Sequence, residues 1–152
     1  MGKQLSTRWP WIHTLVDAGI CVFLNLMEEG ETNYAGNTFV PYADVAENRS
    51  PEVRMSRRAI RDLSVPTPVK MTAILDAIDE ALADGQPVYV HCWGGVGRTG
   101  TVIGCWLLRH GLATPRNVLD VLRVLRQQDQ ERRHRMSPET EEQQRFVKEW
   151  LA

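Results

Sequence analysis

The sequence predicts an α/β domain, with a small central, mostly parallel sheet flanked by helices. Short apolar runs at 20–26 and 88–90 read as buried strands, because a strand covered on both faces loses the polar half of its alternation. Segments with helical apolar spacing alternate with these runs, as in parallel β–α–β crossovers. The 152 residues are 43% hydrophobic and 24% charged, which suits one domain with a substantial core, expected to span residues 1–152.

Trp11 to Gly19 reads as a short helix closed by Gly19. Ile20 to Leu26 follows as a strand, and the acidic M-E-E-G-E-T-N after it as a loop at the strand's C-terminal end. Residues 42–49 fit a helical turn, and Val53 to Ile60 a weaker, arginine-rich strand. Three later helices are each predicted to open with a hydroxyl residue followed by proline: Thr67-Pro68, Thr114-Pro115 and Ser137-Pro138. The first should run to about Asp84 before Gly85, with Met71, Ile74, Leu75, Ile78 and Leu82 on its apolar side. The second carries Val118, Leu119, Val121, Leu122 and Leu125, and the last carries Phe146, Val147, Trp150 and Leu151. Val88 to Val90 is a short central strand, and Thr99 to His110 an apolar helix. In such a fold the chemistry belongs at the C-terminal edge of the strands.

A net charge of −1 gives no global field for nucleic acid or a membrane surface, so neither is an expected partner, and a monomer is expected. The opening M-G-K-Q-L-S-T-R-W lacks the apolar stretch of a signal peptide, and no run approaches the roughly 20 apolar residues of a bilayer span. Met1-Gly2 with Ser6 matches a short myristoylation pattern but reads as a plain initiator sequence. Three cysteines, Cys21, Cys92 and Cys105, form neither a disulfide framework nor a metal site, and a cytoplasmic location is expected. Cys21 and Cys105 read as core thiols, and a redox disulfide to Cys92 stays open. Trp9, Trp11, Trp106 and Trp150 read as packing residues, with Trp106 facing the interior. Arginines at 54–61 and 132–135 flank the central loop, as a solvated face or as a steering field for an anionic substrate.

That loop lies in V-Y-V-H-C-W-G-G-V-G-R-T-G-T-V, residues 88–102. Gly95, Gly97 and Gly100 spell the dinucleotide fingerprint G-x-G-x-x-G, with Asp120 downstream as a ribose-binding acid. The context fails, because Asp120 falls in a helix rather than at the end of a second strand. The nucleoside-triphosphate loop fails too, for want of Gly-Lys-Ser/Thr. The other residues point to chemistry on a phosphate. Glycines at 94, 95 and 97 let the backbone curl into an anion-binding nest, and the helix opening near Arg98 adds its positive end. Cys92 at the start of the loop would lie under the anion, where the N–H groups favour its thiolate. Arg98 offers a planar fork to two phosphate oxygens. Together these make a phosphoryl-transfer site with a covalent phosphocysteine. The leaving oxygen needs a proton, and Asp62 in R-D-L-S-V-P-T-P is the best-placed acid, ahead of Asp44 and Glu47. Standing alone, such an aspartate would read as a turn former.

H-C-W-G-G-V-G-R-T-G, residues 91–100, resembles the H-C-x5-R-[ST] signature of cysteine-dependent protein tyrosine phosphatases. The glycine pattern, small size and D-L-S-V-P turn resemble the compact, atypical members of the dual-specificity branch. The resemblance covers roughly residues 10–150. It implies Cys92 as nucleophile, Arg98 as phosphate ligand and Asp62 as general acid and then base. It implies that Thr99 hydrogen-bonds the thiolate and that His91 holds the loop and tunes Cys92. The backbone of Trp93, Gly94, Gly95, Val96, Gly97 and Arg98 would cradle the phosphate, with Trp93 also on the pocket rim. A weaker match in P-E-T-E-E-Q-Q-R-F points to Gln143, ahead of Gln144, as a residue positioning water. No metal or organic cofactor is implied. The implied substrate is a phosphorylated protein, carrying phosphotyrosine and, in a shallow pocket, phosphoserine or phosphothreonine. A phosphoinositide or RNA 5′-phosphate substrate and a non-catalytic phosphate-binding module are the alternatives. A rhodanese or arsenate-reductase loop is disfavoured by the upstream acid and the G-x-G-R-T-G tail.

Overall fold

The computed structural model describes residues 10–39 and 41–151. The strand β1 (Val22–Asn25) is central, between β2 (Arg54–Arg57) and β3 (Val88–His91), in the order β2-β1-β3. Both pairings are parallel, with Phe23 level with Met55 and Tyr89, and Asn25 level with Arg57 and His91. The carboxyl ends of all three strands therefore meet at one edge.

Strand alternation divides the core. Phe23 packs with Ile12, Tyr42, Val45, Ala46 and Val53 beneath α1 (Pro10–Asp17) and α2 (Ala43–Arg49). Its neighbour Leu24 faces the other way, toward Ile74, Leu75, Val102, Cys105 and Val147. That side carries α3 (Pro68–Ala83), α4 (Arg98–Arg109), α5 (Val118–Leu125) and α6 (Glu141–Lys148). The result is a sheet between two helical layers, as the apolar runs on both sides of the pleat require. Cys105 is wholly enclosed, and burial pushes its thiol up to about 12. Cys21 is half-buried. Trp150 is buried, but Trp106 is only half-buried, its Nε1 donating to Asp79 Oδ1 at 2.8 Å. Trp9 and the Met1–Ser6 pattern lie outside the described residues.

Thr67 caps α3 by accepting from the Lys70 N–H, with Pro68 in the first turn, and Gly85 ends the segment at φ +70°. The other two hydroxyl–proline pairs do not open helices. α5 starts at Val118 behind Asn117, whose Oδ1 accepts from the Thr114 N–H at 2.7 Å and holds Thr114-Pro115 in a turn. α6 starts at Glu141 behind Thr140, in a reciprocal capping box with Gln143. The Ser137 hydroxyl donates instead to the Val96 carbonyl at 2.7 Å. β2 is shorter than the predicted 53–60, and the chain beyond it runs on toward Asp62. No helix among the described residues is long and apolar enough to cross a membrane.

Candidate active site

β3 ends at His91 and α4 begins at Arg98, so residues 92–97 form the link at the carboxyl edge of the sheet. Gly95, at φ +68°, supplies the left-handed bend that curls this link. Its carbonyls are drawn outward by partners from several elements. Gly95 accepts from Arg126 Nη1 at 2.6 Å, Val96 from the Ser137 hydroxyl, and Gly97 from Thr101 Oγ1 at 2.8 Å. The Cys92 carbonyl accepts from His91 Nδ1 at 3.1 Å. In a planar trans peptide each carbonyl opposes the N–H of the next residue. The N–H groups of Trp93, Val96, Gly97 and Arg98 are thereby turned to the other side. None of them meets an acceptor among the described residues. With the N-terminus of α4 beside them, they form a concave, positively polarised cup.

Cys92 is 6% exposed, and Thr99 Oγ1 donates to its Sγ at 3.1 Å. His91, equally enclosed, must carry its proton on Nδ1 to bond a carbonyl, so its Nε2 accepts from the Tyr42 hydroxyl. Burial holds the His91 pKa below its ordinary value and favours this neutral tautomer. The ring stacks between Phe39 and Tyr89. Gly100 has a packing reason: a Cβ there would lie 2.1 Å from the Ser137 oxygen, so only glycine lets α4 approach residues 137–138. The last glycine of the apparent dinucleotide fingerprint is thus explained by helix packing.

Arg98 is 2% exposed. Its Nη1 and Nη2 donate to the two oxygens of Glu31, each at 2.7 Å, and Nη1 also donates to the Ile60 carbonyl at 3.0 Å. Asp62 Oδ1 lies 3.3 Å from Nη2. Burial opposes both charges of the Arg98–Glu31 pair, but the paired bonds outweigh it. They hold the Glu31 carboxyl below its ordinary 4.5 and Arg98 above its usual value. The Arg98 Nε is buried and meets no hydrogen-bond partner among the described residues.

A cavity of about 240 Å³ opens over the cup. Cys92, Trp93, Gly94, Val96, Gly97 and Arg98 line it from the loop, and Asp62 and Leu63 from the β2–α3 connection. Glu31 to Tyr34 line it from the β1–α2 connection, and Arg135 and Glu139 from the segment before α6. A larger cavity of about 550 Å³ lies against α2 and has no cysteine in its lining. The structure therefore brings Cys92, Arg98, Asp62 and Thr99 together. Asp44 and Glu47 sit in or beside α2, away from the smaller cavity. Gln143 is fully buried and does not line the cavity. Its Oε1 accepts from the Glu139 and Thr140 N–H groups, and its Nε2 donates to the Ser64 carbonyl. That arrangement ties the Asp62 connection to the C-terminal segment. Gln144 bonds the Pro138 carbonyl.

Of the arginine clusters, only Arg135 reaches this cavity. Arg57 donates to the Met27 carbonyl at 2.6 Å and Arg54 bonds Gln86. Sequence reasoning missed Glu31, Tyr42, Arg126 and Ser137. Only Glu31 left a signal, as an acid in the loop after the central strand.

A family described as "Polymorphic toxin system, DSP-PTPase phosphatase" matches residues 4–112. Uncharacterized protein MJECL20 of Methanocaldococcus jannaschii is 37% identical over 92 residues, covering 60% of this chain and 56% of that protein. Dual specificity protein phosphatase CDC14B of Mus musculus is 28% identical over 115 residues, covering 66% of this chain and 23% of that protein. The chain spans about half the length, or less, of the curated relatives it matches. The crystal structure of Tk-PTP in the active form superposes with a TM-score of 0.69 at 28% identity, covering 92% of this chain and 83% of that one. The cysteine–arginine loop at the edge of this parallel sheet and these likenesses agree: the chain belongs to the DSP-PTPase phosphatase family of polymorphic toxin systems, a compact dual-specificity type within the protein tyrosine phosphatase superfamily.

Proposed function

We propose that the chain hydrolyses phosphomonoesters of proteins, phosphotyrosine first and phosphoserine or phosphothreonine beside it, through a phosphocysteine at Cys92. The observation that carries the reading is the pairing of Cys92 Sγ, held by Thr99, with a buried Arg98 Nε that has no partner among the described residues. A buried N–H of this kind is satisfied by a group that enters the loop. A phosphate oxygen suits it, with the loop N–H groups taking the others.

In this mechanism Cys92 Sγ attacks phosphorus as the P–O ester bond breaks, and Asp62 gives its proton to the leaving oxygen. Asp62 then takes a proton from water as that water attacks phosphorus and the P–S bond breaks. Thr99 donates to the returning thiolate, and inorganic phosphate leaves. Arg98 and the loop N–H groups hold the equatorial oxygens throughout. Glu31 is a positioning residue: it binds one edge of the guanidinium and turns the other toward the cup. Neutral His91, fixed by Tyr42, holds the Cys92 carbonyl. Gln143 acts here through the Asp62 connection rather than on water.

The test is para-nitrophenyl phosphate hydrolysis with EDTA by wild type and Cys92→Ser. Turnover by wild type alone is expected. Equal turnover by both would overturn the phosphocysteine. Vanadate binding with no turnover by wild type on any phosphomonoester would favour a phosphate-binding module.

A further inference from the structure

Hydrolysis of a phosphocysteine makes a demand that its formation does not. A water must come in where the alcohol has left, with a lone pair turned to phosphorus. One of its hydrogens is passed on as a proton. The other has to be held by an acceptor, or the water turns freely. Asp62, left ionised by the first half of the reaction, can take the proton. Other acceptors around the cavity are already engaged. Both Glu31 oxygens are on Arg98, and Asn33 Oδ1 accepts from the Ala35 and Asn37 N–H groups, each at 3.0 Å. Thr32 and Tyr34 stand exposed to solvent.

Glu139 lines the same cavity. Its Oε1 accepts from Arg135 Nη2, and its Oε2 takes no hydrogen bond among the described residues. A Cβ built on Gly97 would lie 3.2 Å from that Oε2, and one built on Gly94 would lie 3.9 Å from Arg135 Nη1. The ion pair therefore lies along the loop from Gly94 to Gly97, where the arginine offsets the repulsion between a carboxylate and a phosphate. Its placement is fixed from two sides. The Ser137 hydroxyl bonds the Val96 carbonyl, and the Glu139 N–H donates to Gln143 Oε1 at 3.1 Å. Gln143 Nε2 in turn reaches the Ser64 carbonyl at 3.2 Å, two residues from Asp62. One buried amide thus ties Glu139 and Asp62 to the same frame.

We propose that Glu139 is a second catalytic carboxylate, acting only in the hydrolytic half by accepting the hydrogen that the attacking water keeps. This rests on the phosphocysteine reading given above. The water oxygen bonds to phosphorus as the P–S bond breaks and its electron pair returns to sulfur. One proton passes to Asp62, which is then ready for the next ester. The remaining O–H donates to Glu139 Oε2 and leaves as part of inorganic phosphate. In the first half the attacking atom is sulfur, which carries no hydrogen for Glu139 to hold.

The test is steady-state hydrolysis of para-nitrophenyl phosphate by wild type, Glu139→Ala and Glu139→Gln, with the phosphocysteine trapped by acid quench. Dividing kcat by the trapped fraction gives the rate of hydrolysis, and kcat/KM reports the first half alone. Glu139→Ala should slow hydrolysis about tenfold, the loss expected for one hydrogen bond to a charged acceptor. Its kcat/KM should stay within about threefold of wild type. Glu139→Gln keeps a neutral acceptor and should lose less. Both variants should fold, because the pair with Arg135 is partly exposed and contributes little to stability. An unchanged rate of hydrolysis in Glu139→Ala overturns the inference while the phosphatase reading stands. So does a fall in kcat/KM by the same factor, which would make Glu139 a brace for the loop. A wild type that turns over no phosphomonoester, or turns one over with no trapped phosphocysteine, overturns the phosphocysteine reading and this inference with it.

Discussion

The loop at 92–98 and the turn at 61–64 face one cavity but are built on different principles. In the loop, Cys92 and Arg98 are nearly inaccessible, and α4, Arg126 just past α5 and the Ser137 segment each fix a carbonyl. In the turn, Asp62 has 55% of its side chain exposed, and its own carboxylate bonds the next N–H. The difference suits the tasks proposed for the two regions. Stabilising a charged transition state rewards dipoles that do not reorganise. Passing a proton to an ester and then taking one from water rewards a group that water can reach.

Substitutions should separate the two regions. The largest effect is expected for Arg98→Lys. It keeps the charge but loses the fork shared with Glu31, and kcat should fall about 10³-fold on every substrate. Asp62→Asn should cost about 10²-fold on an alkyl phosphate and far less on para-nitrophenyl phosphate, whose leaving group needs no proton. Equal losses on both substrates would remove Asp62 from the acid's role. Glu31→Gln should slow turnover and alter the acid limb of stability. The Glu31 carboxyl titrates lower in the folded chain than its ordinary 4.5. Its stabilising contribution is therefore complete above that value and lost as pH falls through the folded pKa. Denaturant midpoints measured downward from pH 6 should fall less steeply for Glu31→Gln than for wild type. Smallest, Arg123→Ala should change stability by no more than about 0.5 kcal/mol, because its pair with Asp120 is largely exposed. A larger loss there would show that this face contributes more than its exposure suggests.

The cysteine–arginine loop was legible because its parts are contiguous: strand, cysteine, glycines, arginine and helix fall within one short stretch. The position of Asp62 beside Arg98 was legible through its place after β2 and before Thr67-Pro68. Glu31 was not, since it meets Arg98 across 67 positions and no local pattern encodes that pair. The misplaced helix starts have the same cause. Thr114-Pro115 and Ser137-Pro138 satisfy the local rule for a helix start, yet the helices begin after Asn117 and Thr140, and only Thr140 caps its helix with a side-chain bond. The Ser137 hydroxyl donates instead to the Val96 carbonyl, 41 positions away, which no local rule encodes. Gln143 fits a water-positioning role by its neighbours in sequence, whereas its amide is spent on backbone groups of two segments.

The long-range bonds around the loop have a consequence for the order in which the protein is made. Arg98 reaches back 67 and 38 positions, to Glu31 and Ile60, and Val96 waits for Ser137, 41 positions ahead. Contacts of such separation close slowly, after local helices have formed. A partly folded chain would therefore hold its thiol on a slack loop, chemically mute until the last third of the sequence has docked. In refolding from denaturant, recovered turnover should lag behind recovered helical circular dichroism. Simultaneous recovery would mean that the loop takes its shape without those distant partners.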